Sequence, residues 1–380
     1  MPETDPIYLD NNATTPILPE VVEAMLPYLR DHFGNPSSSH VYGVRAKAAV
    51  SRAREQVAGL IGCDADEVIF TSGGTEANNL AIRGVTEALG ERRPVVTSVI
   101  EHPATARPCD WLERHGHTVH RLGVDGAGRV TQGDAAGAFA PGTALLTVMH
   151  SNNESGVVQP VAELARRAHA VGAWVHTDAA QSLGKVPVSV RALDVDLLSV
   201  AGHKLYAPKG VGALYVKRGT PLSPFVLGAG HERGLRPGTE NVAFIVGLGA
   251  ACELVGRDLQ AAATRMGALR DLLWQRLAAG VHGLALNGRA AERLPNTLSL
   301  RFPRASGDAV LAGAPDVAAS TGSACHEGHQ AASAVILAMG VPPQEAIGTV
   351  RLTLGRKTTD DEIERAAAAL IRSWGALVGR

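Results

Sequence analysis

The chain is expected to be an α/β protein: a large domain with a mainly parallel sheet flanked by helices, plus a smaller α+β C-terminal domain. Short apolar β-type runs alternate with helical stretches through its middle, which is the pattern of a largely parallel sheet covered on both faces. At 380 residues it is too long for one ordinary core. Its character also changes after about Asn241, where an alanine-rich helical stretch begins.

In chain order, strands are expected at 95–100, 144–149, 173–177, 197–200 and 211–216, rich in Val, Leu and Ile. Between them, 75–89, 104–115 and 161–171 carry helical periodicity. One long helix over 242–279 leads to a strand at 296–301 and two final helices near 332–339 and 359–378. The division is expected to give a large domain over 14–255. The small one would combine 1–13 with 256–380 and carry the segment around Cys325.

Ligands of such sheets bind beyond the carboxyl ends of the strands, where Asp178, Lys204 and His102 all fall. Lys204 follows His203 at the end of an apolar run and precedes the Gly/Pro turn of Pro208 and Gly210. A solvated surface lysine is the ordinary alternative. Asp178 ends the run Trp174-Val175-His176-Thr177, where capping a following helix is the plain reading of an aspartate. Thr71-Ser72-Gly73-Gly74-Thr75 reads as a glycine turn opening a helix, so Gly74 and Thr75 would cap the helix and seat an anion with one geometry. A lysine amine, a strand-end acid and a phosphate seat are together what pyridoxal 5'-phosphate needs. Asp178 would face its pyridine nitrogen.

Further segments give these residues a family. Tyr8-Leu9-Asp10-Asn11-Asn12-Ala13-Thr14-Thr15, Glu101-His102-Pro103-Ala104, Asn152-Asn153-Glu154-Ser155-Gly156, Arg236-Pro237-Gly238-Thr239 and Ser320-Thr321-Gly322-Ser323-Ala324-Cys325 occur in one order along the chain. Over nearly its whole length the sequence resembles the cysteine desulfurases, the NifS/IscS-like branch of the class-V aminotransferases. The 26-residue spacing from Cys325 to Arg351 resembles the long-loop group.

The resemblance implies a pyridoxal-phosphate transferase of fold type I and a homodimer. In it Lys204 would carry the cofactor and move the substrate proton, His102 would stack on the ring, and Gln181 would donate to the ring hydroxyl. His203 would be a second phosphate ligand, and Thr239 would reach the phosphate of the other subunit. Asn153 and Arg351 would engage the substrate, with backbone near Ala13 as a further contact; a surface salt bridge is the plain alternative for Arg351. A planar guanidinium suits a carboxylate. Relatives often place a serine three residues before the lysine. Here it is Ala201, so one phosphate donor is missing or replaced by Ser199 or water.

Cys325 would decide the reaction: its thiolate would take sulfur from L-cysteine, leave L-alanine and pass a persulfide to an acceptor protein. His326 would lower the thiol pKa. Cys325, His326 and His329 lack a fourth ligand at zinc-like spacing, so no metal is expected. Selenocysteine lyase shares almost all these motifs and stays open. An aminotransferase would leave Cys325 without a role, and a non-catalytic scaffold would predict a lost lysine. The sulfur's destination, iron–sulfur cluster assembly or nucleic-acid thiolation, is not legible.

The bulk numbers agree. A formal net charge of −1 with scattered basic residues gives no nucleic-acid or membrane surface. No apolar run is long enough to span a bilayer. The N-terminus lacks a secretory core, and four dispersed cysteines fit reduced thiols in a cytoplasm.

Overall fold

The computed structural model describes residues 5–131, 137–322 and 332–379. Strand β1 (Ile7–Tyr8) opens the chain. The helices Pro19–Arg30 and Val41–Ile61 then lead into the central sheet. That sheet consists of β2 (Val68–Thr71), β3 (Val95–Ser98), β4 (Val119–Leu122), β5 (Leu145–Thr147), β6 (Trp174–Asp178), β7 (Leu197–Ala201) and β8 (Gly212–Val216), in the order β2-β8-β7-β6-β5-β3-β4. Every neighbouring pair is parallel except those of β8, which runs against both β2 and β7. The α/β class and mainly parallel sheet therefore stand.

Residues of β2, β3, β5, β7 and β8 are buried along their whole length, as a sheet covered on both faces requires. The helices Gly74–Ala88 and Pro103–Arg114 pack one face through Leu80, Ile82 and Leu112. The helix Val161–Ala170 and the pair Val41–Ile61 and Val242–Arg257 pack the other, through Leu164, Val57 and Leu248.

A separate apolar cluster unites Ile7 and Leu9 with Leu273, Leu300, Leu352 and Trp374. It lies under β9 (Ala285–Leu286), β10 (Thr297–Arg301) and β12 (Thr349–Thr353), an antiparallel sheet in the order β12-β10-β9. The strand β11 (Val317–Ala318) pairs in parallel with β1 and so draws the N-terminus into this cluster. The final helix, Asp360–Val378, starts at a capping box of Thr359 and Glu362.

The expected single helix over 242–279 is corrected: it is two helices, Val242–Arg257 and Leu259–Gly280. At Asp258 the backbone turns to φ −129° and ψ 22°, outside the helical well. Its carboxylate is drawn to Arg356, which precedes the last helix. The break falls within a stretch of otherwise good helix formers.

Candidate active site

Five strands deliver their carboxyl ends to one cavity of about 480 Å³, a volume suited to a small cofactor and its substrate. The turn after β2 brings Gly74 and Thr75, that after β3 brings His102, and that after β5 brings Met149, Ser151, Asn153 and Glu154. Asp178 and Gln181 follow β6; Ala201, His203 and Lys204 follow β7. Asp10, Asn12, Ala13, Ser320 and Arg351 join them from the N-terminal segment and the C-terminal part of the chain. The residues expected at the site therefore meet, apart from Thr239, which is exposed and lies outside the cavity, and Cys325, His326 and His329, which lie outside the described residues.

Burial pulls the Lys204 amine down to about 8, against Asp178 and Asp10 and with the push of Arg351. A fair share of that amine is then unprotonated near neutrality and able to act as a nucleophile or base. Asp178 is buried; its Oδ2 accepts from Asn78 Nδ2 at 2.7 Å and its Oδ1 from the Ala180 N–H at 2.9 Å. No helix follows Asp178: its carboxylate closes a turn, so the capping alternative falls and the cavity position stands. His102 does cap a helix: its Nδ1 accepts from the Ala104 N–H at 3.1 Å at the helix start, which leaves the ring proton on Nε2. Burial and Lys204 hold the His102 pKa below its ordinary value, against Asp178.

At the phosphate end one expectation changes. Thr75 does not cap the helix, which starts at Gly74 with Gly73 before it at φ +150°, and no side-chain cap is made. The first-turn N–H groups are therefore left for a ligand. The φ of Gly73 favours glycine there, and the turn lies so close to β8 that a Cβ on Gly212 would sit 2.7 Å from Gly73 Cα, so glycine is needed at 212 as well. Ser199 does not replace the missing serine, because its hydroxyl is bound to His176 Nε2 at 2.9 Å away from the cavity. His203 Nδ1 lies 3.2 Å from Thr14 Oγ1, and burial pulls its pKa down to about 4, helped by Lys204. It is a neutral imidazole in this site.

Arg351 is no surface residue. It projects from β12 and is 5% exposed. Its Nη2 pairs with Asp10 at 2.7 Å and its Nη1 donates to the Asn153 carbonyl at 3.0 Å, while its buried Nε has no partner among the described residues. The Ala13 N–H is spent on the Asp10 carbonyl at 3.0 Å, so Ala13 contributes surface to the cavity and not a free donor.

This arrangement accompanies a close relationship to known proteins. The model of the aminotransferase class-V family matches residues 7–366. The chain belongs to that family. A cysteine desulfurase of Trichormus azollae is 45% identical over 361 residues, covering 94% of this chain and 90% of the relative. The cysteine desulfurase NifS of Azotobacter vinelandii is 44% identical over 362 residues, with the same coverage of 94% and 90%. Among solved structures, a NifS-like protein shares 34% identity at a TM-score of 0.91, covering 99% of this chain and 100% of its own.

In this class-V chain, burial pushes the thiols of Cys63, Cys109 and Cys252 up to about 12, so none of the three is a ready thiolate. Four contributors escape a reading of residue types: Asp10, Asn78, Glu154 and Lys185. Asp10 and Glu154 stand inside quoted motifs, and Asn78 lies three residues after one, which is the one signal that could have raised them. Burial lifts the Glu154 carboxyl to about 7, with Ser333 and Arg351 pulling it back. Among the described residues no helix is long and apolar enough to cross a membrane.

Proposed function

We propose that this chain is a pyridoxal 5'-phosphate-dependent cysteine desulfurase. It converts L-cysteine and the Cys325 thiol into L-alanine and a Cys325 persulfide, and the persulfide sulfur then passes to an acceptor protein. The observation that carries the reading is the depressed Lys204 amine in one cavity with Asp178, an uncapped helix N-terminus and Arg351. The curated relatives carry the name cysteine desulfurase.

The residues present suit the cofactor. The N–H groups of Gly74 and Thr75, the Thr75 hydroxyl and neutral His203 would hold its phosphate. Asp178 would face the pyridine nitrogen, Gln181 the ring hydroxyl, and His102 one ring face. Bound there, the cofactor would supply an electron sink for a carbanion at the substrate Cα. Lys204 anchors it and then moves the Cα proton. Arg351 holds the substrate carboxylate beside Asn153. His102 keeps a proton on Nε2 for transfer. The reading includes a homodimer in which Thr239 serves the other subunit, a cytoplasmic location, and a division at 14–255 against 1–13 with 256–380.

Wild-type protein should purify with a visible cofactor band that Lys204→Ala abolishes; a colourless wild type that takes up no added cofactor would sink the reading. Cys325→Ser should keep the band and form almost no alanine or sulfide. Alanine formation at the wild-type rate by that variant would end the persulfide step.

A further inference from the structure

Behind Gln181, on the side away from the cavity, lies a second buried lysine. Lys185 is 3% exposed and does not line the cavity. Gly184, at φ +73°, turns the chain so that Lys185 folds back over the preceding turn. Its Nζ donates to the Gln181 carbonyl at 3.0 Å and to Gln181 Oε1 at 3.2 Å. The other end of that side-chain amide is also held, as Gln181 Nε2 donates to the Asn12 carbonyl at 3.0 Å.

Donor and acceptor chemistry settles which way this amide faces. An amine bound to two oxygens is acting only as a donor, and a backbone carbonyl only accepts, so Oε1 must face Lys185 and the NH2 group must face Asn12. Gln181 itself lines the cavity, and the second N–H of that group has no partner among the described residues, so it is free to serve a ligand there. We propose that Lys185 is a positioning residue that locks Gln181 as a hydrogen-bond donor to the cavity, and so selects a ligand with an anionic or accepting oxygen at that point. This rests on the cofactor reading above, where the oxygen is the ring hydroxyl.

Burial, with Lys204 and Arg351 nearby, pulls the Lys185 amine down to about 7. The lock survives either state, because a neutral amine still has the two N–H groups that both contacts use. Without Lys185, Oε1 becomes a buried acceptor with no donor behind it. Its relief is to turn toward the cavity, which presents an oxygen where the ligand needs a donor.

The test uses the holoenzyme and reads the pH midpoint of the bound cofactor's visible band. A donor to the ring oxygen stabilises the deprotonated form, so losing it raises the pH at which the proton leaves. Lys185→Met and Gln181→Leu should each raise the midpoint by about one pH unit, tenfold in the proton equilibrium. The double variant should move it no further than Gln181→Leu alone, because both changes remove one donor. Lys185→Gln, which keeps a donor of shorter reach, should recover part of the shift. Lys185→Leu serves as a second variant without a donor if Lys185→Met does not accumulate. A non-donor variant that lowers Tm yet leaves the midpoint unmoved, or a double variant that adds both shifts, overturns the inference while the cofactor reading stands. A wild type with no cofactor-dependent band overturns that reading and takes this inference with it.

Discussion

Replacing Arg351 by alanine should cut kcat/KM for L-cysteine far more than it disturbs cofactor binding. Truncating one partner of a desolvated charge pair costs about 2–5 kcal/mol. Asp10 already shares the guanidinium charge at 2.7 Å, so the low half of that range applies. A loss of about 2–3 kcal/mol corresponds to roughly 30- to 150-fold. The Ala13 N–H is taken by the Asp10 carbonyl, which leaves Arg351, with the Asn153 side chain beside it, to hold the substrate carboxylate. Arg351→Lys should recover only part of the loss, since an ammonium cannot match a two-pronged carboxylate. The assay compares L-cysteine with cysteamine, which lacks the carboxylate. Wild type should strongly prefer cysteine, and Arg351→Ala should lose most of that preference. Asp10→Asn breaks the same ion pair but keeps the guanidinium, so it should retain the preference. If Arg351→Ala discriminates between the two compounds as wild type does, or if Asp10→Asn loses as much as Arg351→Ala, the arginine is a structural ion-pair partner and the carboxylate is held elsewhere.

Burial lifts the Glu101 carboxyl to about 8, despite hydrogen bonds from Ser98 Oγ and the Met149 N–H. The folded protein thus holds an extra proton between the ordinary carboxylate range and pH 8, and this group's contribution to stability falls as pH rises across that window. Glu101→Gln should flatten the decline by up to about 5 kcal/mol, read as Tm against pH; an unchanged slope would show that Glu101 titrates normally. Ala201→Ser should tighten cofactor binding about 10-fold or more through one new charge-assisted hydrogen bond to the phosphate. Titrating cofactor-free protein by absorbance checks this, and weaker binding would mean that the Ala201 methyl is wanted as packing surface against Gly74.

What the sequence made legible follows from range. The strands β3, β5, β6, β7 and β8 are buried and read as apolar runs, and a lysine, an acid and a histidine at their ends mark one edge. The two-residue strands β1, β9 and β11 exist only through their partners, so no local pattern announces them. The helix Val41–Ile61 buries Gly43, Ala46, Ala53 and Ala58 among its inner face, a stripe too small in side chain to stand out although it packs closely. Asp258, where the helix breaks, pairs with Arg356, 98 positions away. Asp10 similarly pairs with Arg351 at a separation of 341, and Asn78 with Asp178 at 100. Lys185 is only four residues from Gln181, yet four-residue spacing of a lysine and a glutamine is also what an exposed helix shows. Burial decides between the two, and burial is a property of the fold.

The supporting residues also explain the charge layout of the cavity. A buried arginine and a buried lysine in one space would repel each other and a second cation. Asp10 offsets the first, Asp178 lies near the second, and Glu154 sits on the Arg351 side with its carboxyl raised to about 7. The helix start at Gly74 carries the positive end of a dipole with neutral His203 beside it, so that end draws an anion without a full charge of its own. Arg351 draws a second anion, weakened by Asp10. Asp178, in the same cavity, favours a cationic centre. A molecule with two anionic groups and a positive ring nitrogen matches these signs. A neutral sugar or a polycation does not. The match rests on Asp10 and Asp178 as much as on Lys204 and Arg351, so exchanging either acid should change what the cavity binds before it changes whether the chain folds.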